Sequence, residues 1–366
     1  MNVFFMGNCG LLSTGIAKCL ERNIPFLALE SSMPVKMDLL TSRRFHSAKH
    51  MIAERALISK HITRLTPSII TQPKKVLNWL YLKKFIPDVV INSMDNLEAL
   101  ELEYMINTHF KCASQFDDAF LKFSQYKSAQ YKICQKLNIP IPNKTGEWLA
   151  VKRNKSHWDK NLRDNLPKLK KINSKDYIPA DWEFSQEWHD TEYRINAVFY
   201  IDYYGDWTFV SSNYLPTVHS LAISTINPYL PKKKELDLIL DSATKLKKYL
   251  NVKRRMIQLQ FMKSRTYDNL LFMECNSRVS SETTWIRHHE RSTFCPFDLM
   301  INDNSNPQNA YLFDKILHTE IIFNQYVEKL SKLSHIDYSI LPETLNLNWS
   351  KQEVTPEEGA FVPIKI

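Results

Sequence analysis

The residues best able to do chemistry in this chain lie between Gln258 and Arg278. The sequence there reads Ile-Gln-Leu-Gln-Phe-Met, a polar loop, then Leu-Leu-Phe-Met-Glu-Cys-Asn-Ser-Arg-Val-Ser-Ser. Residues two apart on a strand face the same side. Glu274 and Asn276 therefore project together, as do Gln258 and Gln260 on the preceding strand. If Gln260 pairs near Glu274, an amide, a carboxylate and a second amide converge. Such oxygen ligands suit a hard cation such as Mg²⁺, which completes its shell with water and substrate phosphates. Arg278 then stands where a bidentate donor can hold a phosphoryl or carboxylate oxygen. A β-hairpin with an ordinary polar outer face has the same pattern, so spacing alone leaves both readings open.

Positioning that hairpin requires a core, and composition supplies one. Of 366 residues, 44% are hydrophobic and 12% aromatic, which excludes global disorder. With only 6 glycines, collagen-like and glycine-linker architectures are excluded too. The length suits two or three domains. The six cysteines (9, 19, 112, 134, 275 and 295) form no Cys-x-x-Cys pair and sit in apolar segments. This predicts neither a disulfide framework nor a cysteine zinc site, and an intracellular, cytoplasmic setting. No uncharged apolar run reaches about 18 residues, so no membrane span is predicted.

The N-terminal third alternates strand patterns (2–6, 25–29, 87–91) with helical ones (after Gly15, and 96–106), which predicts a parallel sheet flanked by helices. In the middle, a helix is predicted over 124–137, closed by an extended Asn138-Ile-Pro-Ile-Pro142. Strands are predicted at 148–152, 182–187 and 193–201, a turn at 204–206, an amphipathic helix over 235–250, and the hairpin strands 256–262 and 270–276. A long helix is predicted over 310–333. The fold class is thus α/β followed by α+β.

Charge is uneven. The chain carries +9, and residues 152–175 hold nine Lys/Arg against two acids. Such a run is either a solvated face or a site for phosphate or an acidic substrate.

Glu-Cys-Asn-Ser-Arg resembles the Glu-x-Asn-Pro-Arg segment of ATP-grasp enzymes, most nearly the synthetase domains of the carbamoyl phosphate synthase large subunit. Other landmarks occur in family order. Leu259-Gln260-Phe261 resembles the strand before that segment, and Tyr126-Lys127 with Leu137–Pro142 resembles "D-K … L-G-I-P-x-P". Ala150-Val151-Lys152 resembles the strand of the nucleotide-contacting lysine. Gln186-Glu187-Trp188 and Thr191-Glu192-Tyr193 resemble the hinge and its ribose-binding glutamate, and His219-Ser220 resembles the segment nine residues before a proline, here Pro228. The likeness spans roughly residues 1–300.

The resemblance implies a Rossmann-like pre-ATP-grasp domain (1–115) and a two-lobed ATP-grasp domain (116–305, lid about 147–190), followed by a C-terminal helix and tail (306–366). It implies ATP and Mg²⁺ as cofactors. Lys127 and Lys152 would meet the phosphates, Glu187 and Trp188 would border the adenine, largely through backbone groups, and Glu192 would bind the ribose. Gln260, Glu274 and Asn276 would hold Mg²⁺, Arg278 would stabilise the transferring phosphoryl group, and His219 would sit near the reacting phosphates. The implied activity is ADP-forming ligation of a carboxylate to an amine or thiol through an acyl-phosphate. An anionic carrier or substrate fits the basic lid, and a homodimer is compatible with the sequence. Three departures stand out: no glycine follows Lys152 in the lid, Tyr126 replaces an acid, and Ser277 replaces proline.

Two rivals come from other classes. One is a nucleotide- or polyanion-binding protein of this fold without turnover. The other is an NAD(P)-dependent oxidoreductase using Gly7, Gly10, Gly15 and Glu30, although the Gly-x-Gly-x-x-Gly spacing is absent. Two weaker clusters, Arg287–Glu290 and His46/His50, suit helix surfaces better than metal sites.

Overall fold

The computed structural model describes residues 1–7, 12–30, 61–64, 67–94, 97–155, 169–218, 221–222, 224–227, 229, 231–279, 296–301, 320–323 and 364–365. Within these, the N-terminal region is a parallel sheet of β1 (Val3–Gly7), β2 (Phe26–Glu30), β3 (Ile62–Arg64) and β4 (Val89–Asn92), ordered β3-β2-β1-β4. Helices α1 (Ser13–Glu21), α2 (Pro73–Leu82) and α3 (Leu97–Phe110) connect and flank it. Every residue of β1 and β4 is buried, as expected of parallel strands covered on both faces. Strand β3 was not among the sequence expectations; three residues carry too little periodicity to register.

The expected helix over 124–137 is two helices, α4 (Asp118–Gln125) and α5 (Lys127–Lys136), broken at Tyr126. Tyr126 is extended (φ −109°, ψ 119°) and bridges to Lys155. Asn154 makes the break, because its carbonyl accepts from Lys127 N at 2.8 Å and its Oδ1 from Ser128 N at 2.9 Å. These bonds satisfy the otherwise orphaned amides of a helix start.

A second sheet holds β5 (Trp148–Arg153), β6 (Leu169–Asn173) and β7 (Glu183–Glu187), antiparallel in the order β6-β5-β7. The third and largest is antiparallel. It contains β8 (Thr191–Ile201), β9 (Trp207–Val218), β10 (Leu221–Ala222) and β11 (Ser224–Asn227). After α6 (Lys233–Tyr249) come β12 (Arg255–Ser264), β13 (Leu270–Asn276), a short α7 (Pro296–Ile301), β14 (Glu320–Phe323) and β15 (Ile364–Lys365). Its path runs β13-β12-β8-β9-β11-β14, with β10 and β15 also on β9. The expected turn at 204–206 closes the β8–β9 hairpin, with Gly205 at φ +86°.

One expectation fails outright. Residues 320–323, inside the helix predicted over 310–333, form a strand paired with β11. Glu-Ile-Ile-Phe is β-branched and aromatic, and an open sheet edge satisfies its backbone where a helical pattern was only nominal. The rest of that predicted helix lies outside the described residues.

The large sheet has unlike faces. Ile195, Ala197, Phe199, Ile257, Leu259 and Phe261 share one core with Ile239, Ala243 and Leu246 of α6. By alternation, Asn196, Gln258 and Gln260 project to the opposite face. The start of β12 meets the N-terminal region through a buried cluster. Arg255 donates to both carboxylate oxygens of Glu103 at 2.7 and 2.6 Å and to the Ser277 carbonyl at 2.8 Å. Asn92 Nδ2 donates to Glu103 Oε2 at 3.0 Å, and Val279 N donates to the Asn92 carbonyl at 3.0 Å. The Arg255 guanidinium also lies over the Phe116 ring, 4.6 Å from its centroid. No helix among the described residues is long and apolar enough to cross a membrane.

Candidate functional site

β12 and β13 pair antiparallel with Gln260 opposite Glu274 and Gln258 opposite Asn276, the register that brings the oxygen-bearing trio together. A bulge follows Gln260. The four side chains are organised around Gln258, whose Oε1 accepts from Gln260 Nε2 at 3.0 Å and from Asn276 Nδ2 at 3.1 Å. Both amide nitrogens are thereby committed, and both amide oxygens are left for another partner. Gln258 itself is buried, and its Nε2 has no partner among the described residues.

Two lysines reach Glu274 from distant segments. Lys127, the first residue of α5, forms an ion pair with Glu274 Oε2. Lys152 of β5 faces the same carboxylate, and so does Arg194 of β8, which lies on the Gln260 side of the sheet. Burial alone would raise the Glu274 carboxyl, but Lys127, Lys152 and Arg194 overcome it and hold the group down at about 2. Burial first, and then Lys127, push Lys152 down to about 7, with Glu274 pulling the other way. Burial likewise lowers Arg194, against the pull of Glu274. One carboxylate facing three basic side chains is a site for anions.

The arrangement fits both a nucleotide and a divalent cation. Three oxygen donors share one face, and the buried Gln258 Nε2 lacks the acceptor that a phosphate oxygen supplies. Among the described residues no three His, Cys, Asp or Glu cluster, and the charged groups that act on Glu274 are all basic. A narrow cleft leads from Lys127 and Lys152 between Tyr131, Ile141, Phe184 and Phe272, with the buried Gln130 and Gln186 as its neutral polar groups.

The remaining candidates fall in several places. Glu187 turns its carboxylate to Asn143 Nδ2 at 2.8 Å, with His189 Nε2 at 3.5 Å. Its backbone N–H is bonded to the Asn143 carbonyl, and that of Trp188 to the Trp148 carbonyl, both at 2.8 Å. Those two amides are therefore committed within the fold. Glu192 is exposed and, by alternation, on the Arg194 face. Arg278 lies past the end of β13, in the crevice between the sheets lined by Asn92, Glu103 and Arg255. His219, His46, His50 and Arg287–Glu290 lie outside the described residues.

The N-terminal glycines have packing duties. A Cβ on Gly15 would stand 2.5 Å from Phe297 Cδ1 and 2.9 Å from Phe5 Cε1. One on Gly7, at φ +110°, would stand 2.7 Å from both Met94 Cγ and Ser93 Oγ. At those two positions the absence of a side chain lets neighbouring side chains pack against the backbone. The described cysteines are equally inert: burial pushes the thiols of Cys19, Cys112 and Cys275 up to about 12 and raises Cys134 as well.

Sequence reasoning placed Gln258 on this face without assigning it a role. Arg194 was missed, since one cation in an apolar strand carries no signal until the register is known.

No family model matches the chain, and no curated protein matches it. Solved structures do. The N5-carboxyaminoimidazole synthetase of Staphylococcus aureus superposes with a TM-score of 0.62 at 12% identity, covering 100% of this chain and 93% of that one. The L-amino acid ligase of Bacillus licheniformis gives 0.58 at 9% identity, over 82% and 74%. Biotin carboxylase of Campylobacter jejuni gives 0.58 at 12% identity, over 82% and 70%. The protein is thus a mixed α/β chain with the fold of these enzymes, the ATP-grasp fold.

Proposed function

We propose that the protein is an ATP-dependent ligase that joins a carboxylate to an amine or thiol. The observation that carries this reading is the convergence on Glu274: Gln260 and Asn276 by strand register, Lys127 and Lys152 from separate segments. In this reading the parallel sheet is the pre-ATP-grasp domain and β5–β7 the lid. The base lies against the Gln186–Trp188 segment at the end of β7, and Lys127 and Lys152 hold the phosphates. Phosphoryl transfer needs positioning and charge neutralisation more than covalent help from the protein. The γ-phosphoryl passes to the acceptor carboxylate with release of ADP, and the amine or thiol then displaces phosphate from the acyl-phosphate. Arg278 neutralises charge on the moving group. A Mg²⁺ ion held by Gln260, Glu274 and Asn276 supplies further neutralisation when bound. The basic stretch 152–175 suits an anionic acceptor or carrier.

Incubation with Mg²⁺-ATP and pooled carboxylates and amines should release ADP above the acceptor-free rate. Saturating Mg²⁺-ATP, at 100 times its dissociation constant, should stabilise the wild type by about 2.7 kcal/mol. Glu274→Ala should lose that stabilisation. An undiminished thermal shift in Glu274→Ala overturns the site, and binding without ADP release under any pool reduces the protein to a nucleotide binder.

A further inference from the structure

We propose that Lys127 keeps Glu274 closed to divalent cations until a nucleotide arrives, so that nucleotide binds before metal. This rests on the ligase reading above for the identity of the nucleotide, but the ion pair itself is a property of the chain.

The ligand set holds one charge. Gln260 and Asn276 are neutral amides, their nitrogens turned to Gln258, and the charged groups that act on Glu274 are Lys127, Lys152 and Arg194, all basic. Lys127 occupies Glu274 Oε2 directly. A cation approaching without nucleotide therefore meets a carboxylate already neutralised, with Lys152 and Arg194 close behind it. Mg²⁺ gives up its water reluctantly and relies on carboxylates and phosphates together. Two neutral amides offer little to replace either.

A polyphosphate changes the balance. The Lys127 backbone is pinned by its bond to Asn154, while its ammonium rides on a flexible four-carbon stem. The side chain can leave Glu274 for a phosphate without any movement of α5. Lys152 faces the same space and is drawn the same way. The freed carboxylate and the phosphate oxygens then form the charged ligand set together. Because coupling is reciprocal, the factor by which nucleotide tightens metal equals the factor by which metal tightens nucleotide, and Lys127 contributes to both.

The test uses Mn²⁺ as the probe, with free ion counted by electron paramagnetic resonance, on the full chain. Without nucleotide, Lys127→Met should bind Mn²⁺ about tenfold or more tighter than wild type, the size expected on removing a cation beside a ligating carboxylate. The double variant Lys127→Met/Glu274→Gln should lose that gain. Lys127→Gln retains a donor to the carboxylate and serves if the methionine variant folds poorly; it should show the same direction. Adding a non-hydrolysable ATP analogue should tighten Mn²⁺ by a larger factor in wild type than in Lys127→Met. The proposal is overturned if wild type alone binds Mn²⁺ as tightly as Lys127→Met, or if the gain survives loss of Glu274. Failure of wild type to bind ATP in any form would overturn the ligase reading instead, and the Mn²⁺ comparison would still judge the ion pair.

Discussion

The glycines Gly7 and Gly15 and the β12–β13 hairpin both present spacing of the kind that binds ligands, and their surroundings differ sharply. Around Gly7 and Gly15 the space is taken by Met94, Ser93, Phe5 and Phe297, so the missing side chains let the chain's own neighbours close in. Around Gln260, Glu274 and Asn276 the polar atoms are held outward by Gln258 and surrounded by basic groups from three other segments. A short motif states which residue types are present. Whether they serve packing or chemistry depends on what the remote parts of the chain bring up against them.

Three substitutions break or sharpen that contrast. The largest effect is expected at Gly15→Ala. Alanine in a helix gains about 1 kcal/mol of propensity over glycine, but overpacking against two phenyl rings costs about 1–3 kcal/mol. The contact wins, so the melting temperature should fall while the shift induced by Mg²⁺-ATP persists. Loss of that shift with no loss of stability would place Gly15 in the ligand site after all. Next comes Gln258→Leu, which removes the acceptor that fixes both neighbouring amides. Groups that orient metal ligands are worth 10–100-fold, so Mg²⁺-dependent tightening of ATP should drop by about tenfold or more. Titration in EDTA should show metal-free ATP binding changed far less.

The smallest effect concerns protons. Lys152 sits at about 7, below its ordinary value, so at pH 8 it is largely neutral. Phosphate beside it favours the charged form, so ATP binding should take up a fraction of a proton at pH 8 and weaken as pH rises through 7 to 9. Calorimetry in buffers of different ionisation enthalpy reads that uptake, and Lys152→Met should abolish it. The same depression means the folded protein binds fewer protons than the unfolded chain between about 7 and 10.5. The Lys152 contribution to stability therefore improves over that window as pH rises, provided no nucleotide is present.

Much of the site was legible because strand periodicity is local. Two residues apart means one face, and a short polar loop between apolar runs marks a hairpin, so Gln260 opposite Glu274 was a register the sequence allowed and the structure adopts. The parallel sheet was legible for the same reason. What stayed hidden depended on remote contacts. The break at Tyr126 arises from Asn154, nearly thirty residues on, which captures the amides of Lys127 and Ser128. Strand β9 was not among the sequence expectations, because its polar members Ser211, Ser212 and Asn213 are all buried and leave no apolar–polar alternation to read. Residues 320–323 read as helix because apolar content alone does not distinguish helix from edge strand over four residues. Arg194 became meaningful only once β8 was seen beside β12.

The link between Glu103 and Arg255 bears on how the molecule comes apart. Each charge is almost fully covered, and each has the other as its partner, Glu103 on α3 and Arg255 at the start of β12. Removing either partner would leave an uncompensated buried ion where the two parts of the molecule join, a penalty of about 3–5 kcal/mol. Neither half is then a good candidate for expression as a truncated fragment, and heating should melt both in a single transition.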